Sequence, residues 1–290
     1  MNGPVKRGFW DRVQQGDPRL LYALFAVLMV VLEFHTARFP IPVPPYVNRL
    51  YQTIENLQPG KIVILDSSMD AGWYPEARGA FEVIVRHLFK RGLPFAVFTN
   101  TSFFEGQRLG PQIVESVARE MGKEYGRDYC IWGAIVLAQG AGLQSLAKDI
   151  PGQVKVDAFG RPLSEIPMMR NVKDIQDVGL IFSVCYSWES VQWLGFVRSV
   201  YGTPYAVGTS AISSSTAYPY LDSGQIVGMI PGAAGAASYE RLLKTPGSAT
   251  RIAAVQSFAV LYVLGAIALG NAAMALAALQ KRRSAGGPPA

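Results

Sequence analysis

Histidine and cysteine are nearly missing from this chain, with two of each in 290 residues. Neither a Cys-x-x-Cys pair nor a His-Glu-x-x-His run occurs, which removes the usual frameworks for a zinc ion. So few histidines also leave a Ser-His-Asp hydrolase short of its base. His35 borders an apolar run and His87 falls inside a helical pattern, so neither meets a nucleophile. Charge is scarce too, at 17% Asp, Glu, Lys and Arg, against about 25% in a soluble domain. The turn after the first strand pattern, Asp66-Ser-Ser-Met-Asp-Ala-Gly72, lacks the Gly-x-Gly-x-x-Gly of a dinucleotide site, which excludes NAD and FAD. Cys130 and Cys185 both lie in strand-like apolar runs, where buried free thiols are expected.

A net charge of +6 raises the question of nucleic acid, and its distribution answers it. Residues 40–250 carry 18 Lys and Arg against 18 Asp and Glu. The excess comes from Lys6, Arg7, Arg12, Arg19 and Arg38 before that span and from Arg251, Lys281, Arg282 and Arg283 after it. Basic residues that flank hydrophobic runs report membrane orientation, so no nucleic-acid partner is expected.

Two such runs are present. Leu20–Phe34 is apolar except for Glu33 and follows several basic residues. A cleaved signal peptide has this length as well, but no small-x-small cleavage site follows, so an uncleaved signal anchor over 20–36 is the preferred reading. The second run, Ile252–Leu279, has no charge and stops at a basic cluster, as a transmembrane helix does. Its polar members, Gln256 and Asn271, suit a helix–helix contact better than lipid. Both termini are expected in the cytoplasm, with everything between the runs across the cell membrane.

The expected organisation is a cytoplasmic segment 1–19, the anchor 20–36, a Pro-rich spacer with a short helix 37–57, an α/β domain 58–250, a transmembrane helix 251–280 and a basic disordered tail 281–290. Within the domain, strand patterns at Lys61–Leu65, Pro94–Phe98, Tyr129–Leu137, Val178–Val184 and Pro204–Val207 alternate with helical ones at Pro75–Arg91, Pro111–Tyr125, Leu143–Asp149 and Trp188–Tyr201. Val154–Phe159 reads as a hairpin or an edge strand. Strands such as Ile62-Val-Ile-Leu are apolar on both faces, as a parallel sheet covered on both sides requires. The predicted fold is therefore a Rossmann-like three-layer α/β domain with a mostly parallel sheet, flanked by two transmembrane helices.

Ligands of such sheets bind beyond the carboxyl ends of the strands. Those ends are polar here, and Asp66, Ser68, Asp70, Asn100 and Thr209 are the candidate ligand or cation residues. Small polar residues at these places also cap the helices that follow, which is the commoner role. Asp66-x-Ser68-x-Asp70 partly resembles the metal-ion site of von Willebrand A domains, whose first strand ends in Asp-x-Ser-x-Ser. That resemblance implies Mg²⁺ or Ca²⁺ on hard oxygen ligands, although Asp70 stands where the pattern has Ser and its downstream Thr and Asp find no counterpart.

The segment 221–240 carries Gly224, Gly228, Gly232 and Ala236 at every fourth position. This predicts a Gly-rich helix with a small-residue packing face, kinked at Pro231 and lying close to the membrane. Only Asp222 and Glu240 are charged within it. The run from Gln58-Pro-Gly through Tyr125-Gly-Arg-Asp-Tyr129 to this segment resembles a family of uncharacterised prokaryotic membrane-anchored proteins with a Rossmann-like domain. The resemblance implies no activity, and no catalytic residue follows from it.

The expected function is a non-enzymatic membrane subunit that uses no cofactor. Its partners are the lipid bilayer and either other membrane proteins or copies of itself. The packing contacts assigned to it are Gly224, Gly228, Gly232, Ala236 and Asn271. A domain that binds a ligand or divalent cation in the strand-end crevice is the alternative, and an enzyme comes third.

Overall fold

The structure is a computed structural model that describes residues 17–34, 41–100, 105–135, 141–184 and 192–285. It divides into two units, 40–250 and the combined termini 1–39 with 251–290.

The central unit is built on six parallel strands: β1 (Ile62–Asp66), β2 (Phe95–Asn100), β3 (Tyr129–Ile135), β4 (Val178–Val184), β5 (Tyr205–Thr209) and β6 (Gly228–Pro231). Their order across the sheet is β3-β2-β1-β4-β5-β6. Chain direction across the sheet therefore reverses between β1 and β4, the topological switch point of an open α/β sheet. Every residue of β1, β2, β4 and β5 is buried. This is why their sequences are apolar without alternation.

One face of the sheet carries α2 (Pro45–Glu55), α3 (Tyr74–Arg91), α4 (Gly106–Met121) and α9 (Gly232–Leu243). The other carries α5 (Ala141–Lys148), α6 (Ile150–Gln153), α7 (residues 192–201) and α8 (Ser214–Asp222), over a core that includes Ile64, Phe98, Trp132, Ile181, Trp193 and Tyr205. Three layers follow, and the α/β expectation stands. The middle of α7, Leu194–Arg198, is π-helical. Asp149 caps α6 by accepting from the Gly152 N–H at 2.9 Å, and α3 ends at Gly92 with φ 66°, a left-handed C-cap that glycine adopts freely.

Several boundaries differ from the sequence reading. α4 starts at Gly106 rather than Pro111, which lies inside the helix in its second turn and lacks the N–H that would reach the Gln107 carbonyl. Val154–Phe159 makes no strand. A single bridge, Val156 to Pro162, holds it, and the Ala158 N–H donates to the Ile131 carbonyl at 2.9 Å beside the edge strand β3. The segment 221–240 is not one helix. It completes α8, turns at Gly224, forms β6 and then begins α9 at Gly232. The sixth strand replaces the proposed kink at Pro231.

In the terminal unit, α10 (Ser248–Ala285) runs 38 residues. Within its Ser248–Leu279 part the most apolar 18-residue stretch has a mean hydropathy of 2.2, and 11% of that stretch is buried. Among the described residues this is the one helix long and apolar enough to cross a membrane. α1 (Pro18–Phe34) has 17 residues, and its apolar part, Pro18–Leu32, falls short of that length. Two spans by length thus become one. The helix also continues to Ala285, so 281–285 belong to it and not to a disordered tail. His35 and residues 36–40 lie outside the described residues.

Candidate functional site

The strand ends meet at the switch point. Asp66 closes β1 and stands beside Ser183 of β4 and Phe98 of β2 in the sheet register. Side chains alternate along a strand, so Asp66 shares a face with Ile62 and Ile64. That face is the one covered by α7. Ser183 Oγ donates to Asp66 Oδ2 at 2.7 Å and Trp193 Nε1 donates to the same oxygen at 3.0 Å. Ser68 Oγ donates to Oδ1 and accepts from the Asn100 N–H at 3.3 Å. Asp66 is 1% exposed, and the Trp193 ring lies 5.8 Å from Phe98 and 6.4 Å from Tyr205. The carboxylate thus points into the core beneath an indole, and both its oxygens accept from protein donors.

Ser67 faces the opposite way. Its hydroxyl is 2.7 Å from Thr99 Oγ1 and 3.1 Å from the Phe98 carbonyl. α4 presses directly on it: a Cβ on Gly110 would come within 2.4 Å of the Ser67 side chain, and one on Gly106 within 2.4 Å of the Ser67 carbonyl. Asp70 turns back on its own loop, accepting from the Gly72 and Trp73 N–H groups at 2.8 and 3.2 Å just before α3. Ser210 does the same ahead of α8, accepting from the Ser213 N–H at 3.0 Å. These are turn and capping roles.

Of the five candidate ligands, the structure brings together Asp66, Ser68 and the backbone of Asn100. Asp70 is engaged elsewhere. Thr209 ends β5 at 5% exposure, and its hydroxyl has no hydrogen-bond partner among the described residues. No three His, Cys, Asp or Glu among the described residues gather closely enough to hold a metal ion. The Mg²⁺ or Ca²⁺ arrangement does not fit these residues, because a cation would have to displace the donors that already hold Asp66.

The packing candidates separate as well. Gly224 is an open left-handed turn at φ 74°. Gly228 lets β6 lie against α2, where an added Cβ would meet Leu50 Cβ at 2.6 Å and the Tyr46 carbonyl at 2.7 Å. Gly232, at φ 52°, sits against Ala211. Ala236 is fully buried, and a Cβ on Gly79 would stand 3.2 Å from it, at the α3–α9 contact. Asn271 is exposed on α10. The every-fourth-residue pattern is therefore distributed over three elements and does not form one face.

Two polar centres went unread in the sequence. His87 of α3, fully buried, is 2.7 Å through Nδ1 from the Tyr239 hydroxyl of α9 and 3.1 Å through Nε2 from Glu55 Oε1 of α2. It also stacks on Tyr51 with ring centres 4.6 Å apart. Burial pushes the imidazole down to about 4, although the Glu55 carboxylate works the other way. For Glu55 burial works upward, but hydrogen bonds from Tyr51 and His87 outweigh it and lower the carboxyl. A carboxylate only accepts, so the neutral ring carries its proton on Nε2, and Tyr239 donates to Nδ1. The second centre is Glu240 of α9, 4% exposed, which accepts from the Gly247, Ala249 and Thr250 N–H groups at 2.8 to 3.0 Å and from the Thr250 hydroxyl. It satisfies the free donors of the first turn of α10. Its signal was visible, since Glu240 and Asp222 are the only acids in a 24-residue apolar stretch, residues 217–240.

Cys130 is buried, and burial pushes its thiol up to about 12, the state of an inert core cysteine. Cys185 lies outside the described residues. A groove of about 260 Å³ opens at the amino ends of the strands, lined by Leu57, Lys61, Gln176, Tyr201 and Thr203 among others, with Lys61 its one charged side chain. It lies at the edge opposite Asp66. No family model, curated protein or solved structure matches this chain.

Proposed function

We propose that this chain is a non-enzymatic, membrane-anchored subunit. It presents the α/β domain outside the cytoplasm, keeps both termini inside, and assembles with other membrane proteins or with copies of itself. The observation that carries this reading is α10. Its large apolar side chains, among them Val260, Leu261, Leu264, Ile267 and Leu269, are 55 to 69% exposed. Surface of that kind, spread over Val260–Leu279, needs lipid or another apolar helix. The strand-end hydroxyls of Ser67, Ser68, Ser183 and Ser210, meanwhile, are engaged in protein hydrogen bonds, which leaves little for substrate chemistry.

Alkaline carbonate extraction should leave the chain in the membrane pellet. An alkaline phosphatase fusion after Leu57 should be active and one after Arg283 inactive. Release into the supernatant would remove the anchor, and reversed activities would remove the orientation. Activity in both fusions would mean that α10 does not cross between Leu57 and Arg283. Purification in mild detergent should bring down a stoichiometric membrane partner or a second copy, and a monodisperse monomer would defeat the assembly part.

A ligand-binding domain remains the second reading. It is favoured by the strand order, which places a switch point between β1 and β4. A ligand there would be a small polar molecule reaching Thr209 rather than a cation on Asp66. A rise in melting temperature with such a ligand, lost in Thr209→Val, would support it.

A further inference from the structure

The hydropathy of α10 extends to Leu279, but the helix is longer than a bilayer is thick. At about 1.5 Å per residue its 38 residues reach about 57 Å, nearly twice a hydrocarbon core of about 30 Å. Some of it must stand outside. Three observations within the terminal unit say which part.

Arg251 and Asn271 are both exposed and bracket a stretch free of charge, and the helix rises about 30 Å from one to the other. Large exposed apolar side chains are dense up to Leu269 and thin out beyond it. Val260, Leu261, Val263, Leu264, Ile267 and Leu269 are each at least half exposed, followed only by Met274, Leu276 and Leu279 among alanines. The third observation comes from α1. The Tyr262 hydroxyl donates to the Leu21 carbonyl at 2.8 Å, and the Phe25 and Tyr262 rings are 5.2 Å apart. Arg19 lies two residues from Leu21 and Asp17 four, so the charged start of α1 is within about 6 Å along the axis of that contact. Charges are costly in hydrocarbon and snorkel over only a few ångströms. They draw the near boundary toward Tyr262 and away from Lys281.

We infer that the acyl chains cover α10 only over Ile252–Gly270, and that residues 271–285 continue as a helix in the water on the cytoplasmic side. The inference rests on the anchored-subunit reading and adds the depth of the helix to it. The basic cluster at Lys281 then begins about 15 Å beyond the hydrocarbon edge, past most of the headgroup layer. Asn271 then hydrogen-bonds at the interface and has no need of a partner helix.

The test is cysteine accessibility of the full-length chain in inverted vesicles of its native membrane, probed with a membrane-impermeant maleimide. The parent chain serves as the blank for Cys130 and Cys185. Ala275→Cys and Ala278→Cys, both at exposed positions, should label to completion, while Val260→Cys and Leu264→Cys stay unlabelled until detergent is added. If 275 and 278 are as protected as 264 while the chain stays in the carbonate pellet, the boundary is wrong and the anchor survives. If 260 and 264 label as fast as 275, the spanning reading itself fails. Labelling of 275 and 278 only in right-side-out vesicles keeps the boundary and overturns the orientation.

Discussion

Acid should loosen the α/β domain through one residue, His87. In the folded chain its imidazole is buried between α2, α3 and α9 and held down to about 4, whereas in the unfolded chain it returns to about 6.5. Between those values the unfolded state binds a proton that the folded state refuses, so stability falls as pH falls. The contribution is fully present above pH 6.5 and is lost as pH drops toward 4. Each unit is worth about 1.4 kcal/mol, which gives about 2 kcal/mol between pH 7.5 and 5. For a domain of this size that corresponds to a drop of about 4–8 °C in melting temperature. Stopping at pH 5 leaves Glu55 and Asp157, both lowered, still ionised. The measurement is thermal unfolding of the detergent-solubilised full chain, followed by near-ultraviolet circular dichroism. His87→Gln keeps an acceptor for Tyr239 and a donor for Glu55 but does not titrate, so its melting temperature should be nearly flat over that range. An equal slope in both proteins would refute the assignment.

Three further perturbations test the packing. Asp66→Ala strands the Ser183 hydroxyl and Trp193 indole donors in the core and should cost about 2–4 kcal/mol with or without Mg²⁺ or Ca²⁺, read by urea unfolding; metal-dependent stabilisation of the wild type alone would revive a cation site. Gly110→Val and Gly228→Val force a side chain into Ser67 and into α2, and each should cost at least about 1–3 kcal/mol. Gly195→Ala, with nothing within 4 Å of its new Cβ, should be near silent, and equal melting of all three would remove the close-approach argument. Glu240→Ala leaves three amide donors at the start of α10 without their acceptor and should cost about 2–3 kcal/mol, measurable as faster amide exchange at Ala249 and Thr250.

How much of this was legible depends on the kind of signal. β1 and β4 were placed within a residue, and β2 and β5 within two at either end, because an apolar run buried on both faces has few alternatives. Asp66 was found for a sound reason, its place at a strand end. Its direction was also partly legible, since it shares the parity of Ile62 and Ile64. What covers that face was not, because Trp193 arrives from a helix 127 residues away, and no local pattern announces a contact of that range. The same limit hid His87. Its partners Glu55 and Tyr239 are 32 and 152 residues distant, so three unremarkable polar residues on three helices carried no joint signature.

The glycines taught the opposite lesson. Their spacing of four reads as a helical period, yet a turn, a strand and a helix start also place small residues a few positions apart when the chain threads a crowded sheet edge. The physical claim behind the stripe was that a missing side chain marks a close approach. That claim holds at Gly228 and Gly232, each against a different neighbour. It holds more strongly at Gly106 and Gly110, which do lie one turn apart on a single helix and seat it on Ser67. Gly106-x-x-x-Gly110 lies at the start of a helix that the sequence reading began at Pro111, so the proline rule hid the one place where the period of four was real. Glycine spacing therefore needs its element fixed independently before it can name a packing face. In this chain Pro111 masked the true pair, while Pro231, expected to kink a helix, instead ends β6.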